Sequence, residues 1–219
     1  SILDRRKADE RKIELLGTFT AMTEYAESEG VRAVIIAGDL FDRNRVSASA
    51  RNIAYGVMAA HPEVLFFYLR GNHDLKGGAA DQRGLPPNLK LFGTEWTSYE
   101  LWEGMDGEGR ITITGKEFPD TTGPEHRREQ AFAGLMPNPQ SLNIVVLHGL
   151  LTGYGSDSRP EEIDIRQLSS RNIDYLALGH LHTYSRGMLP PGGIYCYPGC
   201  LEGRGFDETG EHGFVLLDI

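Results

Sequence analysis

The chain has 219 residues, 40% of them hydrophobic and 24% charged, with a formal net charge of −9. Its length suits one domain with a sizeable core, and its acidity excludes broad attraction to nucleic acid while allowing a local basic or metal-assisted contact. No apolar run approaches the roughly 20 residues that span a bilayer, no signal peptide is legible, and the two cysteines, Cys196 and Cys200, make neither a disulfide framework nor a zinc ribbon, so a reducing cytoplasm and no membrane partner are expected.

Residues 4 to 29 place Ile13, Leu16, Phe19, Met22 and Tyr25 or Ala26 at helical spacing among Arg, Lys and Glu. That pattern predicts a long amphipathic helix stopped by Gly30. The run VRAVIIAGD (31 to 39) is short and nearly all β-branched, the mark of a strand covered on both faces. Residues 47 to 60 read as a helix with Ser47 as N-cap, and EVLFFYLRGN as a second buried strand. Helix, strand, helix, strand implies right-handed crossovers and a parallel sheet.

Between residues 88 and 115 the segments LKLFG, SYELW and RITITGKEF are short alternating runs separated by glycine and charge, which predicts an antiparallel portion. A short helix is expected near 124 to 134. SLNIVVLHG (141 to 149) and IDYLALGHLH are again of the buried-strand type, EEIDIRQLSS reads as a helix, and GGIYCYPG and GFVLLDI read as closing strands. With no repeat, low-complexity tract or linker, residues 1–219 are expected to form a single α/β domain with mixed sheets between helices.

Four buried-type strands end alike, on Gly38-Asp39 (with Asp42 three residues on), Gly71-Asn72-His73-Asp74, His148-Gly149 and Gly179-His180-Leu181-His182. Singly, each has an ordinary explanation: Gly-Asn is turn chemistry, an Asp commonly caps a helix, and a lone core histidine is usually just hydrogen-bonded. His180 and His182, at i and i+2 of an extended segment, would point the same way. The carboxyl ends of parallel strands share one edge, where α/β proteins place ligand sites. Carboxylate, amide oxygen and imidazole without thiolate suit Mn²⁺, Fe²⁺ or Zn²⁺. Two such ions about 3.5–4 Å apart would activate a water and stabilise both oxygens of a phosphoryl displacement. His73, beside an amide that can ligate and a carboxylate that can orient it, fits a general acid.

In GDLFD, GNHD, LHG and GHLH, in that order, the chain resembles the calcineurin-like metallophosphoesterase superfamily, and VIIAGDLFDR, DYLALGHLH and YPGCLEGRGFDETGEHGFVLLDI are similar to SbcD-type DNA repair exonucleases. The resemblance implies two mixed β-sheets sandwiched between α-helices. It implies Asp39 as a bridge between two divalent ions (Mn²⁺ first, then Fe²⁺ or Zn²⁺), with Asn72, His148 and His180 completing one metal site and His182 in the other. His73 would act on the leaving group with Asp74 behind it, while Asp42 would support the ligands.

The family's first motif, Asp-x-His, has no match, because no His precedes His61. The missing strand is expected upstream of Ser1. Without it the chain is expected to hold a single metal at Asp39, Asn72, His148 and His180, with the second weak or absent. No capping domain is expected within residues 1–219, which leaves DNA selection and an ATPase or second-copy partner as open expectations.

The activity expected is hydrolysis of phosphodiesters in DNA ends or nucleotides. The alternatives are a small-molecule phosphomonoesterase, or a non-catalytic metal-binding scaffold if the first motif is truly missing. Arg5, Arg6, Lys7, Arg11 and Lys12 read as a solvated helix face, EHRRE (125 to 129) as a balanced surface, and His61, His126 and His212 as structural or surface residues. Arg43 and Arg45 could reach a substrate phosphate at the rim, with a solvated loop face as an equal reading, and Tyr154 could border the cleft, a flexible loop being the plainer reading there.

Overall fold

The computed structural model describes residues 2–41, 48–71, 84–102, 109–118, 132–152, 162–203, 208 and 210–219. The expected first helix is α1, Ile2–Ser28. It ends where Gly30 turns into the left-handed region at φ 69°. The Gly30 N–H then donates to Glu27 O and the Val31 N–H to Ala26 O, the paired bonds that satisfy the last carbonyls of a helix. Phe19, Thr23 and Ala26 are buried, whereas Ile13 and Tyr25 are exposed, so the buried stripe is narrower than the apolar spacing suggests.

Strand β1 (Ala33–Ala37), helix α2 (Ala48–Ala60) and strand β2 (Leu65–Leu69) follow as expected. The N-cap assigned to Ser47 and the helix near 124 to 131 lie outside the described residues, and 132–134 form a turn. β1 pairs in parallel with β2, and β2 in parallel with β3 (Leu89–Leu91), so LKLFG extends the parallel sheet and is not part of an antiparallel one. β1 is also an edge strand of intermediate burial throughout, less enclosed than its β-branched run predicts.

The second sheet contains β4 (Thr97–Trp102), β5 (Arg110–Gly115), β6 (Ser141–His148), β9 (Tyr175–Gly179), β10 (Ser185–Leu189) and β11 (Gly193–Tyr197). Its order is β10-β11-β9-β6-β5-β4. The β4–β5 and β10–β11 pairs are antiparallel and the three central pairings are parallel.

EEIDIRQLSS does not form an α-helix. It forms strand β8 (Glu162–Asp164), paired with β7 (Leu150–Thr152), followed by a 3₁₀ turn at Ile165–Gln167. Asp164 decides this: its carboxylate accepts from the Arg166 N–H and grips the Arg166 guanidinium, a local bond that competes with the helix ladder. The Arg166 hydrogen bonds hold the Asp164 carboxyl below the usual carboxylate range. The GFVLLDI tail is not a strand either. Phe214, Val215, Leu216, Leu217 and Ile219 are exposed, and Tyr25 stacks on Phe214.

Strand alternation sorts the core into three layers. Val34, Ile36, Phe66 and Tyr68 face Phe19 of α1 and Met58 of α2. Ile35, Ala37, Phe67 and Leu69 face Ile144, Val146 and Ala177 of the second sheet. Val145, Leu147, Leu176 and Leu178 face outward onto Phe132, Leu135, Leu168 and Ile173. The expected pair of stacked sheets is therefore present. The helices cover one outer face, and among the described residues turns and the short β7–β8 ribbon cover the other.

Two polar devices hold the chain near the strand ends. Arg70, just past β2, forms a two-point ion pair with Glu117, with Nε–Oε1 at 2.8 Å and Nη2–Oε2 at 2.7 Å, and its backbone N–H also donates to Oε1. The Glu117 side chain is fully buried. The Tyr197 hydroxyl donates to Gly149 O at 2.8 Å and accepts from the Leu151 N–H at 2.7 Å, pinning the turn after His148.

Removing one partner of a buried pair leaves the other charge uncompensated. Arg70→Met, which leaves the fully buried Glu117 carboxylate without its guanidinium, should therefore lower unfolding free energy in urea by about 3–5 kcal/mol, while adding Glu117→Leu should recover most of it.

Burial pushes the Tyr197 hydroxyl up to about 12. A folded value above the unfolded one of about 10 means the stabilisation is complete below about 10 and is lost as pH rises through about 12. Tyr197→Phe should flatten that alkaline limb in pH-dependent denaturation. At neutral pH it should lower stability by about 1–3 kcal/mol through the two unpaired backbone groups.

Candidate metal centre

The carboxyl ends of β1 and β6 meet across the gap between the two sheets. His148, the last residue of β6, has its Nδ1 2.8 Å from the Ala37 carbonyl oxygen, where β1 ends. A carbonyl only accepts, so Nδ1 carries the proton and Nε2 is left with its lone pair. Nε2 lies 3.4 Å from Oδ2 of Asp39, and both side chains are largely buried, at 6% and 12% exposure. Two acceptor atoms face one point, and only a proton or a cation between them makes that arrangement favourable.

The glycines of the motifs make this approach feasible. A Cβ on Gly38 would stand 2.0 Å from His148 Nδ1, and one on Gly179 would stand 1.7 Å from the Ala37 oxygen. Any larger residue would push the β6 and β9 ends away from β1. Gly71 lies against the Asp39 carboxylate, so the end of β2 joins the same rim. Asp39 at φ 52° and His180 at φ 103° are both held in the left-handed region. Such strain persists where the surroundings over-determine it, and it clusters at functional sites.

The His180 ring stands edge-on to His148, with centroids 5.4 Å apart. β9 has already ended at Gly179, so the expectation that His180 and His182 alternate along an extended segment is overturned. The positive φ turns the chain there, and the two residues have separate surroundings. The His182 Nδ1 meets Glu208 Oε1, and its side chain is 40% exposed.

Of the sequence-derived site residues, Asp39, His148 and His180 are thus brought together, with His182 two residues beyond His180. Asn72, His73, Asp74, Asp42 and Arg43 lie outside the described residues, as do Arg45, His126 and Tyr154. Among the described residues no group of three or more His, Cys, Asp or Glu is arranged to hold a metal ion unaided. The donor set nevertheless fits one, because a ligating imidazole commonly fixes its tautomer by donating its other N–H to a backbone carbonyl.

Sequence reasoning missed Glu117 and Glu208. Glu117 sits in what reads as the end of a strand, and only its burial against Arg70 marks it. Glu208 lies in a polar glycine-rich stretch with no spacing signal. His61 and His212 are structural, as expected: His61 Nδ1 is 3.0 Å from Glu27 Oε2, and His212 Nδ1 is 3.3 Å from Cys200 Sγ. Both cysteines are free thiols. No described helix is long and apolar enough to cross a membrane.

The chain is 26% identical to the DNA double-strand break repair protein Mre11 of Methanopyrus kandleri, covering all of this chain and 51% of that protein. It is 27% identical to the uncharacterized metallophosphoesterase YhaO of Bacillus subtilis over 90% of this chain and 48% of that one. It thus spans about half the length of these curated relatives. The fold is similar to that of TT1561 of Thermus thermophilus, with a TM-score of 0.56 at 14% identity, covering 85% of this chain and 84% of that one. The sequence model of the calcineurin-like phosphoesterases, a group of hydrolases that use divalent metals, matches residues 13–184, and the chain belongs to that family.

Proposed function

We propose that the chain is a divalent-metal-dependent phosphodiesterase acting on DNA ends or on nucleotide-like substrates. The observation that carries this reading is the facing pair of acceptors, Asp39 Oδ2 and His148 Nε2, 3.4 Å apart at the meeting point of two strand ends. A bound divalent ion would supply a Lewis acid and lower the pKa of a water. Asp39 would bridge two ion positions, one completed by Asn72, His148 and His180 and the other including His182, with Mn²⁺ preferred.

His73 would hold its proton for the departing oxygen, and Asp74 would orient its ring. The two-point Arg70–Glu117 ion pair would fix the chain immediately before that segment. The Methanopyrus relative is a DNA repair protein, which favours DNA ends over a small phosphomonoester.

The test compares release of nucleotides from linear DNA with turnover of an aryl phosphate, each in Mn²⁺. DNA should be the better substrate, chelation should abolish the activity, and Mn²⁺ should restore it. Faster turnover of the aryl phosphate would point to a phosphomonoesterase. His73→Ala should bind Mn²⁺ as the parent does while kcat falls by about 10²–10⁴-fold. Parent-like turnover would end the general-acid assignment. His148→Ala should weaken metal binding by more than the about 10–100-fold expected for loss of a supporting partner, measured by titration calorimetry.

A further inference from the structure

We infer that Glu208 is a positioning residue for His182, fixing its tautomer so that the ring's lone pair sits on Nε2. Glu208 Oε1 hydrogen-bonds His182 Nδ1. A carboxylate can only accept, so Nδ1 carries the proton. His148 reaches the same state by donating to the Ala37 carbonyl, whereas His182 does so through a carboxylate.

The segment around Glu208 is built to hold it there. The Cys200 N–H donates to His182 O at 3.1 Å. The Cys200 thiol lies 3.9 Å from Glu208 Oε2 and 3.3 Å from His212 Nδ1. His212 Nε2 is 3.2 Å from Glu208 O, and the Gly213 N–H returns to Cys200 O at 3.3 Å. The chain after β11 therefore closes around the backbone and ring of His182, and His182, more exposed than His148, owes its orientation to a residue far along the sequence.

This inference rests on the proposed function only in taking Nε2 of His182 as metal-facing. The test reads the His182 tautomer by ¹⁵N NMR in the metal-free chain under mildly alkaline conditions, where imidazoles are neutral, alongside Mn²⁺ titration. The parent should show the Nδ1–H tautomer. Glu208→Ala should shift His182 towards the Nε2–H form and weaken Mn²⁺ binding at the affected site by about 10–100-fold.

Glu208→Gln, which keeps an accepting oxygen in place, should hold the Nδ1–H form and most of the affinity. An Nε2–H parent, an unchanged tautomer in Glu208→Ala, or a switched tautomer with unchanged Mn²⁺ affinity would each overturn the assignment. The NMR readout needs no metal, so a parent that binds none would defeat the phosphoesterase reading while the His182 proton still decides the role of Glu208.

Discussion

The bond from His148 Nδ1–H to the Ala37 carbonyl joins the two sheets at the one edge where their parallel strands both end. It can form only if β1 and β6 are stacked with their carboxyl ends level. That stacking follows from the apolar layer in which Ile35 and Ala37 face Ile144 and Val146. A slip of β1 by one residue would exchange Ile35 and Ala37 for Val34 and Ile36, turning the wrong face to the second sheet. The hydrophobic register thus places Asp39 beside His148, and the polar pair inherits its precision from packing rather than from attraction between the two groups.

The same logic explains the glycines. His148 crosses the β1 terminus so closely that a Cβ on Gly38 would overlap its ring, and Gly179 occupies the space against the Ala37 oxygen. A glycine before Asp39 and before His180 is therefore more than a turn signal. It lets strand ends from two sheets approach closely enough for their next residues to share a point. The backbone strain at Asp39 and His180 follows from this crowding, and the surrounding core, with Leu147 and Leu178 fully buried, holds it.

What the sequence made legible follows this division. Buried strands of the β-branched type, their order along the chain and the polar residue after each were readable, because apolar continuity and Gly-polar steps are local signals. Pairing partners were not. The segment LKLFG alternates like an antiparallel strand, but Phe66 and Tyr68 of β2 pair with Leu89 and Leu91 in parallel register. EEIDIRQLSS carries helical spacing that the Asp164–Arg166 bond overrides. GFVLLDI has strong strand propensity but no ladder partner among the described residues, and propensity without pairing does not make a strand. Asp39, His148 and His180, which meet at the rim, were named from sequence, while Glu117, the partner of Arg70, and Glu208, the partner of His182, were not.

That asymmetry has a physical cause. A ligand needs a particular donor atom, so its residue type and its place at a strand end are constrained. A supporting carboxylate needs only to reach a proton, so it can come from any segment that passes nearby. Glu117 arrives just beyond β5 and Glu208 arrives after β11. Each also does a different job: Glu117, itself fully buried, pairs with the partly exposed Arg70 guanidinium beside a strand terminus, and Glu208 meets Nδ1 of the His182 imidazole. Because His148 takes the same proton state from a backbone carbonyl, the two imidazoles are tuned by a neutral acceptor on one side and a charged one on the other.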